Sequence, residues 1–216
     1  MRFLPVLLLV AAGAVPAFAQ PVDKPWNGCL VNALGNADVI SDCTAVLTSG
    51  QGTSEQRAIA FNNRGVGRTN TGDENTQKAA IRDFDEAIKL NPKVAKFFYN
   101  RGYARTGTDN VSAIADFGTA IGMDPLFAVA WGQRAESYLQ LKKWDEAIRN
   151  ASEAIRLAPH YLHSLYNPYE TRALAKEGKG DTKGAEAERA GYMKINKPVI
   201  GPNASGNRSW EGYMRI

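Results

Sequence analysis

Apolar and small residues return at three- and four-residue steps through five stretches of the chain. These are residues 39–47, 80–88, 113–121, 147–155 and, with a weaker pattern, 185–193. In the second of them Ala80, Ile81, Phe84, Ala87 and Ile88 fall on one helical face, with charged residues on the other. The starts of the five stretches are 41, 33, 34 and 38 residues apart. A proline follows each of the last four, at Pro92, Pro125, Pro159 and Pro198. Proline removes a helical N–H and clashes with the preceding turn, so each helix stops and the chain changes direction.

A second aligned set lies upstream of these stretches. Phe61, Phe98, Trp131 and Tyr169 are each followed three residues later by arginine (Arg64, Arg101, Arg134, Arg172) and then by a small residue (Gly65, Gly102, Ala135, Ala173). The aromatic residue is expected to fill the space between two helices, and the small one to mark where their backbones meet. Each unit thus predicts helix, turn, helix, and stacked units bury a continuous core that one unit alone does not.

The unit from Ala128 to Pro159 resembles the tetratricopeptide repeat family: Trp131, Ala135, Tyr138, Ala147, Ala154 and Pro159 stand at that family's large, small and turn positions. The resemblance extends over roughly residues 57–197, with three departures. Repeat one carries about three extra residues in its inner turn (residues 72–78), and repeat two is one residue short. Repeat four has about five extra residues around 160–167, and Arg189 stands where an aromatic or small residue is usual. The resemblance implies an all-α fold: a right-handed superhelix of about 3.5–4 tetratricopeptide-like helix–turn–helix repeats, led by a helical cap. It also implies a concave groove, lined by the first helix of each repeat, that binds a peptide or protein segment.

Composition adds an address. Arg2, the apolar run 3–12 and Ala17-Phe18-Ala19 read as a secretory signal peptide over residues 1–19, which predicts a periplasmic or secreted protein. Cutting there removes one charged residue, Arg2, and lowers the net charge from +4 to +3. Without a run of Lys and Arg, so small a charge argues against nucleic acid as a partner. Cys29 and Cys43 are the two thiols. In an oxidising compartment they are expected to form a disulfide that closes a two-helix cap, broken at residues 34–36. The expected layout is signal peptide 1–19, cap 20–52, repeat domain 53–198 and tail 199–216.

Helical spacing places the groove candidates on the first helices: Asn62, Asn63, Val66, Tyr99, Asn100, Tyr103, Gln133, Glu136 and Leu139. Thr69, Thr106, Glu170, Leu174 and Glu177 complete a surface that is aromatic in the middle and acidic toward the C-terminal end. Tyr99 and Tyr103 are either apolar anchors for a peptide or covers for neighbouring repeats. Asn63 and Asn100, with Gln133 following, offer paired amide donors and acceptors to a peptide backbone. The four arginines resemble a binding stripe, but Asp83, Asp116, Asn150 and Glu188 stand at matching places on the following helices. A repeated structural pair is the plainer reading.

His160 and His163 lack a placed carboxylate or thiol, so no metal is expected. No Ser or Cys is paired with a His and no phosphate-binding glycine loop occurs, so neither catalysis nor a cofactor is expected. The tail carries Trp210 and Tyr213, which either fold back to cap the array or occupy a groove. The function read from the chain is a non-enzymatic scaffold or adaptor for a protein or peptide in the cell envelope. Its alternative is a self-associating structural protein or an accessory subunit of an envelope enzyme.

Overall fold

A computed structural model describes residues 24–31, 37–69, 71, 73–159 and 167–195. The signal segment 1–19, the break at 34–36, His160, His163 and the tail 199–216 lie outside the described residues. Among those described, every element is a helix. They run α1 (Lys24–Val31), α2 (Ala37–Thr48), α3 (Ser54–Thr69), α4 (Glu74–Leu90), α5 (Ala95–Arg105), α6 (Asn110–Met123), α7 (Ala128–Gln140), α8 (Trp144–Leu157), α9 (Pro168–Gly178) and α10 (Thr182–Ile195). None of them is long and apolar enough to cross a membrane.

Consecutive helices pack in pairs, α1 with α2 through α9 with α10, and each second helix also packs on the first helix of the next pair. Successive first helices touch as well: α1 with α3, α3 with α5, α7 with α9. Successive second helices do not pack comparably, so the first helices line the inner side of the curve and the second helices the outer side. The fourth repeat, weakest in the sequence, is a complete helix pair. The array is therefore four pairs and a cap pair.

Close approach within a pair depends on the small residue. A Cβ on Gly65 would lie 2.6 Å from the Phe84 ring, and one on Gly102 would lie 2.9 Å from the Phe117 ring. Phe84 and Phe117 are wholly buried. The knob that fills each of these pairs is thus the second-helix phenylalanine. The first-helix aromatics expected there lie toward the turns between repeats: Phe98 and Trp131 pack around Ala120 and Ile121 at the end of α6. Trp131 Nε1 donates to the Pro125 carbonyl at 3.0 Å, and the Tyr169 hydroxyl donates to the Pro159 carbonyl at 3.1 Å.

The three extra residues of repeat one do not enlarge its inner turn. They lengthen α4 to 17 residues, against 14 for α6, α8 and α10. Asp73 caps the lengthened helix by accepting from the Thr76 N–H at 2.8 Å, which satisfies a backbone donor that would otherwise have no partner.

Cys29 and Cys43 are disulfide-bonded, with Cα atoms 4.7 Å apart and both side chains fully buried. By alignment along the second helices, Cys43 stands where Phe84 and Phe117 stand, and Cys29 faces it as Gly65 faces Phe84. In the cap a covalent bond replaces the aromatic knob at the helix crossing. The cluster around it contains Val39, Val46 and Ala60, so the cap stacks on α3 like a further repeat.

Candidate functional site

The inner wall is built on α3, α5, α7 and α9. Its asparagine column is bonded to itself. Asn100 Nδ2 donates to Asn62 Oδ1 at 2.8 Å, Asn62 Nδ2 to Asn63 Oδ1 at 3.0 Å, and Asn63 Nδ2 to the Cys29 carbonyl at 2.8 Å. This chain of amides ties α5 to α3 and α3 to α1. Asn62, Asn63 and Gln133 are buried. A buried amide left unpaired is costly, so Asn62 and Asn63 meet that need through each other, Asn100 and the Cys29 carbonyl, and stitch the repeats. Thr171 Oγ1 performs the same task further on, donating to Glu136 Oε2 at 3.0 Å across α9 and α7. Nothing in the sequence announces that bond, because the two residues are 35 positions apart on different helices.

The middle of the wall is aromatic. Tyr99 packs against Phe127 with ring centroids 4.9 Å apart and against Phe117 at 5.8 Å. Tyr103 stacks beside Tyr99 at 6.5 Å and is 37% exposed. Val66 belongs to the edge of the core beside Ala80, Phe84 and Ala104, while Glu136 and Leu139 are half-buried on α7. The C-terminal end is not a free acidic patch. Arg189 pairs with both Glu170 (2.8 Å) and Glu177 (2.5 Å). These two hydrogen-bonded carboxylates raise the Arg189 guanidinium above its ordinary value. The departure at Arg189 thus has a physical reason: an ionic knob over Ala173 takes the place of the aromatic one.

The four arginines form a structural ladder, as the matching acids suggest, and one with a longer reach than the sequence indicates. Arg64 meets Asp83 at 2.7 Å, Arg101 meets Asp116 at 2.6 Å and Arg172 meets Glu188 at 2.5 Å, each across its own helix pair. A second cation one helical turn on shares the same acid: Arg68 with Asp83, Arg105 with Asp116, Lys176 with Glu188. Three of the arginines also reach back to the previous repeat, Arg64 to Thr44 Oγ1 (3.4 Å), Arg101 to Asp85 Oδ1 (2.7 Å) and Arg172 to Ser152 Oγ (3.0 Å). The guanidinium of each of the four lies over the aromatic ring three residues earlier, at 5.5 Å for Phe61, 5.6 Å for Phe98, 4.7 Å for Trp131 and 5.9 Å for Tyr169.

In the third repeat Arg134 keeps its place over Trp131 and its bond across the helix pair, but the acids and the second cation of the ladder are replaced. Arg134 Nε donates to Asn150 Oδ1 at 2.7 Å, a neutral acceptor. Gly118 stands where Asp85 would be, and Tyr138 stands where Arg68 and Arg105 would be. Burial consequently pulls Arg134 below its ordinary value. Burial also opposes charge on Arg101, but hydrogen bonds to Asp116 and Asp85 outweigh it and raise that group.

Comparison with known proteins follows the same lines. The tetratricopeptide repeat model matches residues 128–161, which is α7, the turn and α8. The α7–α8 pair is thus a match to the tetratricopeptide repeat family, and the helical array around it is tetratricopeptide-like. Over 151 residues this array is 24% identical to the STIP1 homolog of Dictyostelium discoideum, a match that covers 69% of this chain and 26% of that protein. It is 28% identical over 151 residues to FlbA of Caulobacter vibrioides, covering 66% of this chain and 25% of that one. Human serine/threonine-protein phosphatase 5 is 32% identical over 99 residues, 45% of this chain and 20% of the phosphatase. The tetratricopeptide array thus matches about a quarter or less of these relatives' length. Among solved structures, MamA residues 41 to the end from Desulfovibrio magneticus RS-1 superposes with a TM-score of 0.69 at 15% identity, over 84% of this chain and all of that one. A second MamA crystal structure gives 0.63 at 21% identity, covering 73% and 86%. At such identities the likeness speaks for the fold alone.

Proposed function

We propose that this tetratricopeptide-repeat array is an exported, non-catalytic scaffold that takes a peptide or protein segment of a cell-envelope partner on its concave wall. The observation that carries the reading is the Tyr99–Tyr103 pair. Tyr99 is fixed from behind by Phe117 and Phe127, and it holds Tyr103 open on the inner face. A preorganised aromatic side chain at the middle of a concave surface loses little entropy on binding and supplies a large contact area. The asparagine column and the Thr171–Glu136 bond serve the repeats themselves, so contact with a peptide passes to Tyr103 and Leu139. The leader-like pattern over residues 1–19 supports export to the periplasm or the medium.

Selection of displayed peptides on the full chain, followed by titration against Tyr103→Ala, tests the wall. Tyr99 is left intact because its loss would disturb the packing of α5 on α6. A central anchor is expected to contribute about 2 kcal/mol, a fall in affinity of about thirtyfold. Equal affinity for both proteins refutes the assignment. N-terminal sequencing of the protein recovered outside the cytoplasm is expected to begin at Gln20.

A further inference from the structure

The outer faces of α4 and α8 are charged: Lys78, Arg82, Glu86 and Lys89 are exposed on one, Asp145, Arg149 and Arg156 on the other. Between them the outer face of α6 has no charge. It exposes Val111 (69%), Ala115, Thr119, Gly122 and Met123, and Leu126 (74%) follows at the helix end. The unneutralised rung of the arginine ladder opens on the same face. A Cβ built on Gly118 would lie 3.5 Å from Arg134 Nη1, and among the described residues the guanidinium donates through Nε to neutral Asn150. One repeat earlier, the corresponding place is filled by the Asp85 carboxylate, which pairs with Arg101 while remaining 46% exposed. Among the described residues the fold therefore leaves, beside α6, a half-buried cation without a counter-charge, next to an apolar helix face that glycine keeps shallow. What fits it is a carboxylate with apolar side chains on either side.

The chain carries such a segment. Glu211 stands between Trp210 and the pair Tyr213 and Met214. All second helices run the same way, so α10 ends at Ile195 on the same end of the array as Met123 and Leu126. Two repeats separate α10 from α6, and since second helices do not pack on one another the gap is about two to three packed-helix spacings, about 20–30 Å. The 16 residues from 196 to 211 span up to about 50 Å when extended. We propose that residues 209–216 dock in cis on the outer face of α6, with the Glu211 carboxylate on Arg134 in the place of the missing acid and Trp210 and Met214 over Val111, Met123 and Leu126. The tail is then neither the end cap of the array nor an occupant of its concave groove.

Hydrogen exchange on the full chain tests this. Amides of residues 209–216 are expected to be protected in the wild-type protein, and Glu211→Gln is expected to lower that protection about tenfold. Gly118→Asp is expected to do the same by a different route. Its new carboxylate takes the place that Asp85 holds beside Arg101, displaces Glu211, and leaves the thermal midpoint at or above that of wild type. Tail amides unprotected in the wild type, or equally protected in both variants, overturn the proposal. Protection that rises with protein concentration overturns it too, since it assigns the face to the tail of a second copy.

Discussion

Asp116 is the most heavily used rung of the ladder, and Asp116→Asn removes its charge while keeping its shape. Its carboxylate, 5% exposed, accepts from Arg101 Nε (3.0 Å) and Nη2 (2.6 Å) and from Arg105 Nη1 (2.7 Å). The amide offers one acceptor in place of two and turns an NH2 group toward a guanidinium. Two cations whose side chains are 19% and 23% exposed lose their counter-charge, and Arg101 retains Asp85. Breaking a fully buried pair costs about 3–5 kcal/mol, whereas exposed pairs contribute about 0–1. The partial exposure and the surviving Asp85 contact place this variant near 2 kcal/mol. For a chain of this size that corresponds to a fall of about 4–8 °C in the thermal midpoint. Urea unfolding followed by far-UV circular dichroism at neutral pH measures the loss directly. Asn150→Ala is the internal comparison, because Arg134 already lives with a neutral partner; its loss should be about 1 kcal/mol. A loss at Asp116→Asn below about 0.5 kcal/mol, or one no larger than that of Asn150→Ala, refutes the view that the arginines hold the repeats together.

Three further outcomes follow from the packing. Reducing the Cys29–Cys43 bond, which closes a loop with a sequence separation of 14, should withdraw up to about 3 kcal/mol from the cap, read as earlier proteolysis within α1 and α2 than in the central repeats. Gly65→Ala sets a methyl group against the Phe84 ring, and overpacking should outweigh the gain in helix propensity by about 1–2 kcal/mol in the same urea assay. Burial opposes charge on Glu188, but hydrogen bonds from Lys176 and Arg172 outweigh it and hold the carboxyl below its ordinary 4.5. A depressed folded-state pKa supplies stability that is present above that ordinary value and lost as pH falls through the lower one. Protection of α9 and α10 amides should therefore fall below about pH 4.5, and Glu188→Gln should weaken that dependence.

Legibility in the sequence followed distance along the chain. The spacing of alanines and prolines gave the helix pairs, because helical periodicity and helix termination are local. The matching columns Arg64/Asp83 and Arg101/Asp116 were readable because both partners recur at fixed offsets within one unit. Bonds between units were not. Asn100 to Asn62 spans 38 positions, and it turned a presumed ligand-facing column into a stitch between repeats. In repeat one the three extra residues read as a longer turn, since sequence alone does not say whether a polar insertion continues a helix; the Asp73 cap settled it in favour of α4. At Arg189 an apparent defect became an ionic contact once Glu170 and Glu177 were seen on either side of Ala173.

By itself, then, the sequence determined a repeated all-α unit, a disulfide-closed first pair and an internal pairing of arginines with acids. Each follows from short-range sterics and from residue types that recur in register. Only the tertiary structure decided which polar groups the array consumes and which it leaves available. The superhelical stacking brings Asn62, Asn63 and Asn100 together with the first two buried, holds Tyr103 open on the concave wall, and leaves Arg134 beside Gly118 without an acid among the described residues. Those outcomes depend on how one helix pair is set against the next. That offset arises from the packing of each second helix on the first helix of the next pair and of first helices on one another, which no single repeat encodes.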